Sequence, residues 1–128
     1  MTHDEIEALA SQFFAAIEAG DIDTVAATYA DDAIIWHNFD QVEQNKVDNL
    51  RTLAYVVRTV SGRSYDDVRR VILDDGFVQQ HVLRGSVAAG ALEVPAMLRV
   101  WVAGGRITRL DEYLDTAQVA VLTPGRTG

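Results

Sequence analysis

The sequence predicts an α+β domain in which three N-terminal helices pack on a curved antiparallel sheet and enclose a pocket of small-molecule size. Apolar residues recur with the helical period in the first half of the chain and alternate with polar residues in the second half. Helices that precede a run of strands define two packed layers, and a strongly twisted sheet leaves a cleft on its concave side. The length of 128 residues corresponds to one domain, predicted over residues 1–128 with a frayed tail at 123–128.

The first two helices are predicted from capping signals. Thr2 and Glu5 have the spacing of a capping box, and Gly20 stands where a helix that begins there would end. Asp21 can cap a second, shorter helix. The two aspartates at 31–32 are expected to break that second helix.

A short strand and a long helix are predicted next. Residues 33–36 are β-prone, and a polar string follows at 37–40. The third helix is expected from about Glu43 to Ser61, and Gly62 is expected to end it. Its predicted apolar face consists of Val47, Leu50, Ala54 and Val57.

The second half of the chain predicts four long antiparallel strands. They are expected at 65–73, 77–86, 94–102 and 106–114, with turns at 75–76, 88–91 and 103–105. A three-residue turn with a glycine bulge at 103–105 predicts three opposed pairs: Val100 with Thr108, Leu98 with Leu110, and Ala96 with Glu112. In this register Glu112 shares its face with Thr108, Leu110 and Leu114, while Ile107 lies on the other face. Glu112 is then the single carboxylate in an apolar wall.

Composition and charge exclude several classes of function. The net charge of −8 argues against nucleic acid and anionic membranes as partners, since both require a basic surface. No apolar run approaches the ~20 residues that span a bilayer. The chain has no cysteine, which excludes disulfides and a cysteine nucleophile, and its three histidines are too scattered to predict a metal site. The acidic N-terminus lacks a signal-peptide pattern, and we therefore expect a cytoplasmic protein.

Three segments of the chain carry a resemblance to a known superfamily: Tyr29–Asn38, Phe77–Gly85 and Gly105–Asp115. The last is the most specific, because a Gly–basic–Ile start, a short apolar–polar strand and a terminal aspartate recur together in that family. Over about residues 4–121 the chain resembles the NTF2-like superfamily, and within it the SnoaL-like, ketosteroid-isomerase-like and limonene-epoxide-hydrolase-like proteins. The resemblance implies a cone-shaped NTF2-like (cystatin-like) fold.

The resemblance also implies a set of pocket positions. In epoxide hydrolases of this type, the pocket holds Tyr and Asn at the end of the first strand, Arg and Asp on a middle strand, and Asp on the last strand. The matching positions in this chain are Trp36, Asn38, His81, Leu83 and Glu112. Leucine at the position of one acid argues against epoxide hydrolysis, and the second acid of the ketosteroid isomerases also has an apolar counterpart here.

The polar residues that remain predict acid–base chemistry. His81 is the usual type of proton shuttle near neutral pH, and Glu112 within reach would orient its ring. We predict this pair as catalytic, with Trp36 as a flat apolar wall and Asn38 as a group that polarises a substrate oxygen. Further substrate-binding residues are predicted: Leu83, Leu98, Leu110 and Tyr29. His37 alternates away from Trp36 and is expected outside the pocket or at its rim.

These residues predict a cofactor-free enzyme of the isomerase or polyketide-cyclase type that acts on a small apolar organic molecule. Two alternatives remain open. One is a non-catalytic ligand-binding or dimerisation module, since fold does not determine function, and the other is a hydrolase with an altered catalytic set. Apolar side chains on the outer face of the sheet predict a homodimer through Met97, Trp101 and Tyr113.

Overall fold

Helices cover one face of a single six-stranded sheet in the computed structural model, which describes residues 1–122. The helices are α1 (His3–Ala19), α2 (Ile22–Thr28), α3 (Lys46–Thr59) and α4 (Thr116–Leu122). The strands are β1 (Tyr29–His37), β2 (Glu43–Asn45), β3 (Ser61–Leu73), β4 (Gly76–Val87), β5 (Gly90–Ala103) and β6 (Arg106–Leu114). Their order in the sheet is β2-β1-β6-β5-β4-β3. The predicted α+β fold class is confirmed, and the predicted frayed tail at 123–128 lies outside the described residues.

The core lies between the first three helices and the sheet face toward them, which we call the inner face. Helix α1 contributes a buried apolar stripe, listed here in chain order: Ile6, Leu9, Ala10, Phe13, Phe14, Ala16 and Ile17. The sheet contributes Phe77, Leu98, Val100, Ile107 and Leu110. Burial of these side chains supplies the main favourable free energy of folding.

The first two helices follow their local capping signals. The Thr2 hydroxyl accepts a hydrogen bond from the Glu5 N–H at 3.1 Å, and the Glu5 carboxylate accepts one from the Thr2 N–H at 2.8 Å. Gly20 ends α1 in the left-handed conformation, with φ 75°. Asp21 caps α2 by accepting from the Thr24 N–H at 3.1 Å. Both predicted starts and the predicted end of α1 are confirmed.

Strand β1 is longer than the predicted strand at 33–36. It begins at Tyr29 and contains Asp31 and Asp32, which were expected to separate the helix from the strand. Both aspartates are exposed, and the pairing of β1 with β6 is irregular between Tyr29 and Ile34. A strand tolerates such residues where its side chains face solvent, so they do not end it.

Helix α3 begins and ends inside its predicted bounds. Residues 43–45 form β2 against β1, and the Asn45 side chain caps the helix by accepting from the Asp48 N–H at 2.9 Å. The helix ends at Thr59, and Gly62 lies within β3 instead of ending the helix. Residues at both ends of the predicted helix belong to strands instead: residues 43–45 pair with β1, and Ser61 pairs with β4.

The predicted apolar face of α3 is also partly wrong. Val47 is 58% exposed, whereas Asn49 is 2% exposed and is the buried residue of this helix. Leu50 and Leu53 pack against the core. A buried hydrogen bond from the Tyr29 hydroxyl to Asn49 Oδ1, 2.8 Å long, explains why a polar residue replaces an apolar one on this face.

The register of β5 against β6 differs from the prediction by two residues. The turn contains two residues, Gly104 and Gly105, with φ 59° and 81°, and a bulge in β6 adds another residue of offset. Leu98 therefore lies opposite Glu112, and the three predicted pairs are wrong. The bulge also brings Ile107 onto the inner face, where it is fully buried, although alternation predicted it on the other face.

Two further features were not predicted. Strand β1 pairs with β6 in parallel, whereas the other pairings are antiparallel, and this places His37 beside Glu112. Helix α4 begins after Asp115, whose carboxylate accepts from the Ala117 N–H at 3.1 Å. Within residues 1–122, no helix has the length and apolar character needed to cross a membrane.

Candidate functional site

Three strands bring together a carboxylate and two imidazoles on the inner face. Glu112 of β6 lies between His37 of β1 and His81 of β4. The His37 Nε2 atom is 3.2 Å from Glu112 Oε1, and the His81 Nε2 atom is 4.0 Å from Glu112 Oε2. The predicted proximity of His81 and Glu112 is thus observed, although 4.0 Å is too long for a direct hydrogen bond.

The three side chains differ in burial. The His81 side chain is 1% exposed, whereas those of Glu112 and His37 are 18% and 12% exposed. His81 is covered by the aromatic rings of Phe14 and Tyr65, whose centroids lie 5.5 and 4.5 Å from the imidazole centroid. Solvent therefore reaches the site from the Glu112 and His37 side.

Polar side chains of three elements lie behind His81. The Gln79 amide nitrogen is 2.9 Å from His81 Nδ1, and the Arg70 Nε–H donates to Gln79 Oε1 at 2.7 Å. Arg70 in turn donates to the Glu7 carboxylate on α1 at 2.5 Å and to the Ser11 hydroxyl at 3.1 Å. Arg70 joins β3 to β4 through Gln79 and to α1 through Glu7 and Ser11, so the network connects three elements.

The His81 Nε2 atom has no hydrogen-bond partner among residues 1–122, although it is completely buried. An unsatisfied buried polar atom costs free energy, so its presence in a native site requires an explanation such as a ligand. This atom points toward Glu112. A ligand atom bound beside the Glu112 carboxylate would complete the hydrogen bonding of this nitrogen.

Burial and charge determine the protonation of the surrounding groups. Burial lowers the pKa of His81, the Arg70 charge acts in the same direction, and the Glu112 charge opposes both. His81 is therefore neutral near pH 7. Burial, and secondarily the Glu112 charge, raise the pKa of the Tyr29 and Tyr65 phenols, which remain protonated donors.

Four of the residues predicted to bind substrate lie on the inner face: Leu98, Leu110, Leu83 and Tyr29. Leu98 is opposite Glu112 in the sheet, and Leu110 is two residues before it on β6; both are buried. Leu83 packs in a separate small cluster with Val60, Leu92 and Val94. Tyr29 is 1% exposed, and its hydroxyl is bound to Asn49.

The structure does not bring Trp36 and Asn38 into the candidate site. The Trp36 ring packs edge-on against Tyr113 on the outer face, with centroids 5.1 Å apart. The Asn38 side-chain amide is hydrogen-bonded to the backbone of Leu114. The Leu114 N–H donates to Asn38 Oδ1 at 3.0 Å, and the Leu114 carbonyl accepts from Asn38 Nδ2 at 3.2 Å. The face predicted for β1 is wrong because Ile35 and His37 point inward instead of Ile34 and Trp36.

Sequence reasoning missed residues of this site on β1, β3 and β4. His37 was placed outside or at the rim because the alternation of β1 was assigned in the wrong phase. Gln79 lies two residues before His81 in the same predicted strand, and that spacing was the available signal. Arg70 and Tyr65 reach the site because β3 is irregular between Asp66 and Arg69, and no local pattern indicates that irregularity.

Among residues 1–122, no group of three or more His, Cys, Asp or Glu side chains is arranged to hold a metal ion. The absence of a metal or other cofactor therefore stays a prediction from the sequence.

Comparison with solved structures defines the fold class. The chain is similar to an NTF2-like protein from Burkholderia xenovorans LB400 (21% identity, TM-score 0.76, covering 96% of this chain and 98% of that chain). It is similar to a Xanthomonas campestris pv. campestris protein with the provisional name polyketide cyclase (19%, 0.79, 91% and 98%). A Bacillus subtilis protein with the provisional name isomerase is also similar (12%, 0.82, 98% and 97%). At these identities the similarity shows the NTF2-like fold alone.

Comparison with sequence families defines the family. Residues 10–110 match the family model of the SnoaL-like domain, and the chain belongs to this family. A comparison with curated proteins found no match. The predicted membership of the SnoaL-like, NTF2-like superfamily is confirmed.

Proposed function

We propose that this protein is a small-molecule isomerase or cyclase that uses Glu112 and His81 for acid–base chemistry on an apolar substrate with an enolisable carbonyl group. The observation that carries the proposal is the buried, unpartnered Nε2 of His81, 4.0 Å from the Glu112 carboxylate. Membership of the SnoaL-like family supports it, as do the provisional names of two similar structures, polyketide cyclase and isomerase.

The reaction begins with proton abstraction from the carbon next to the carbonyl group. Glu112 accepts the proton, and the electron pair of the C–H bond becomes part of an enolate. Return of the proton to a different carbon gives an isomer. Attack of the enolate on a second carbonyl carbon in the same molecule forms a C–C bond, and the resulting alkoxide takes up the proton, which gives a cyclised product.

The surroundings of the pair favour an apolar substrate. Phe14 and Tyr65 cover His81, and Leu98 lies opposite Glu112 on the neighbouring strand. The Phe39 ring lies 5.3 Å from that of His37 and is 40% exposed, so an aromatic side chain stands beside the solvent-facing part of the site. Such walls bury apolar substrate surface and strengthen electrostatic interactions between the reacting groups.

The test uses exchange of α-protons for deuterium in 2-tetralone, a small apolar ketone, followed by NMR in D₂O. We expect the wild-type protein to accelerate exchange and Glu112→Gln to lose at least about 100-fold of that rate, since the amide cannot accept the proton. Asp111→Asn is the matched control, because Asp111 is the neighbouring acid on the outer face and pairs with Arg109. Equal rates for wild type and Glu112→Gln would contradict the proposal, and binding of the ketone without exchange would support the non-catalytic alternative.

We further propose that the protein forms a homodimer through the outer face. Met97 and Tyr113 are 46% and 59% exposed there, and they line a groove of about 720 Å³ together with Val68, Gln80, Val82 and Pro95. Exposed apolar surface of this kind favours association with a second copy. Trp101 contributes less than its sequence suggests, because the Arg99 guanidinium covers its ring at 4.4 Å.

A further inference from the structure

We propose that Arg70 and Gln79 hold His81 as a neutral imidazole with its proton on Nε2, so that His81 donates a hydrogen bond to the substrate oxygen and Glu112 alone accepts the proton. This assignment rests on the proposed function and deepens it. It changes the predicted shuttling pair into two separate roles and makes Arg70 and Gln79 positioning residues.

The direction of the hydrogen bonds follows from Arg70. A guanidinium group can only donate, so the atom of Gln79 that faces Arg70 Nε at 2.7 Å must be the carbonyl oxygen. The amide nitrogen of Gln79 then faces His81 Nδ1 at 2.9 Å. An amide NH₂ group has only donors, so Nδ1 must accept, and the single proton of the neutral ring lies on Nε2.

The same contacts oppose a second proton on the ring. Protonation at Nδ1 would place its N–H against the Gln79 N–H, leaving two donors in contact at 2.9 Å. The positive charge of Arg70 and the cover of Phe14 and Tyr65 also disfavour an imidazolium ion. Glu112 is the group that favours it, and the Tyr65 phenol remains neutral. His81 therefore serves poorly as a base.

Arg70 is itself held in place from two sides. Glu7 and Ser11 on α1 accept from its terminal nitrogen, and its guanidinium lies 5.9 and 5.8 Å from the ring centroids of Phe14 and Phe77. Its side chain is only 12% exposed. A group fixed in this way keeps the Gln79 amide in one orientation, since turning the amide would place its NH₂ group against a guanidinium donor.

The chemical consequence concerns the oxygen of the substrate. The Nε2–H of His81 has no partner among the described residues and points toward the Glu112 carboxylate. When Glu112 takes a proton from the carbon next to a carbonyl, negative charge develops on the carbonyl oxygen. A preoriented N–H donor in a buried site stabilises that charge without having to reorganise.

The experiment is a long-range ¹H–¹⁵N correlation spectrum of protein labelled with ¹⁵N-histidine, recorded between pH 5.5 and 8. We expect the wild-type His81 to show an unprotonated Nδ1 and a protonated Nε2 across this range. Gln79→Glu places an acceptor beside Nδ1 and is expected to move a proton onto that nitrogen. Gln80→Glu, which adds the same charge to an exposed neighbour on the outer face, is the matched control and is expected to leave the wild-type signature unchanged.

A second pair of variants tests Arg70. Arg70→Met removes the donor that orients the amide and is expected to give a mixture of the two tautomers, whereas Arg70→Lys restores a donor and is expected to restore the wild-type signature. A wild-type His81 with its proton on Nδ1, or one that is an imidazolium ion at pH 7, would overturn the inference even if no variant folds. These spectra require no substrate, so the tautomer assignment and the ketone-exchange test can fail independently.

Discussion

Carboxylates on the two faces of the sheet have different charged partners. On the outer face, Asp111 is paired with Arg109 at 2.8 Å, and Asp66 with Arg84 at 3.0 Å. On the inner face, Glu112 is the residue next to Asp111 in sequence, yet within the described part of the chain its charge partners are two imidazoles and no arginine or lysine. A guanidinium is a permanently charged donor, and Glu112 has no such partner among the described residues. The outer carboxylates are held in ion pairs with arginine, whereas the inner carboxylate is the base of the proposed reaction.

The largest expected effect is a difference in the free energy of unfolding between a substitution on the inner face and one on the outer face. Phe77→Ala empties a fully buried position on the inner face and is expected to lower the free energy of unfolding by about 3–5 kcal/mol. Val71→Ala, at a position 61% exposed on the outer face, is expected to change it by less than about 0.5 kcal/mol. Urea unfolding followed by circular dichroism measures both. Similar losses for the two variants would show that the outer face is as well packed as the inner one.

The next prediction concerns the outer face alone. The double substitution Met97→Asp and Tyr113→Asp puts like charges into the proposed dimer contact and is expected to weaken self-association by at least about 30-fold. Sedimentation velocity over a concentration series measures the change. Val47→Asp, on an exposed apolar residue of α3, is the matched control and is expected to leave association unchanged. A wild-type protein that is monomeric at every concentration would refute the dimer.

The smallest expected effect concerns His81 on the inner face. Because its pKa is lowered in the folded protein, the unfolded chain binds a proton below about pH 6.5 that the folded chain excludes. Stability contributed by the neutral ring is therefore complete above about pH 6.5 and is lost as the pH falls toward the lower folded pKa. The slope is at most about 1.4 kcal/mol per pH unit. Urea titrations of wild type and His81→Leu between pH 5 and 8 measure it.

Wild type and His81→Leu are expected to differ in how steeply their stability depends on pH. The variant is expected to be less stable overall, because the Gln79 amide loses its partner, but its stability should depend less steeply on pH below 6.5. Parallel curves for the two proteins would show that His81 titrates in the folded state much as it does in the unfolded chain. That result would contradict a ring held neutral by burial.

Local patterns predicted some element boundaries but not others, and they did not determine every face of a strand. The capping box at Thr2, the left-handed Gly20 and the bounds of β6 were all predicted from neighbouring residues, because each depends on interactions within a few positions. The side of the sheet that Trp36 and His37 occupy was predicted in reverse. Alternation has a period of two residues, so a shift of one position in a strand moves every side chain to the opposite face.

Glu112 kept its predicted face although its predicted register was wrong. The register between β5 and β6 was wrong by two residues, an even number, so Glu112 stayed on the inner face and came to lie opposite Leu98 instead of Ala96. The same bulge reversed the position of Ile107. The candidate pair was therefore found from the sequence, while its environment was not.

The sequence by itself determined the α+β class, the start of each of the first two helices, the family resemblance and the pairing of one histidine with one carboxylate. Only the tertiary structure decided that His37 joins them, that Trp36 and Asn38 do not, and that Glu7, Arg70 and Gln79 stand behind His81. The physical reason is distance along the chain. Capping and periodicity act between near neighbours, whereas Glu7 and Arg70 are brought together only when α1 packs on an irregular β3.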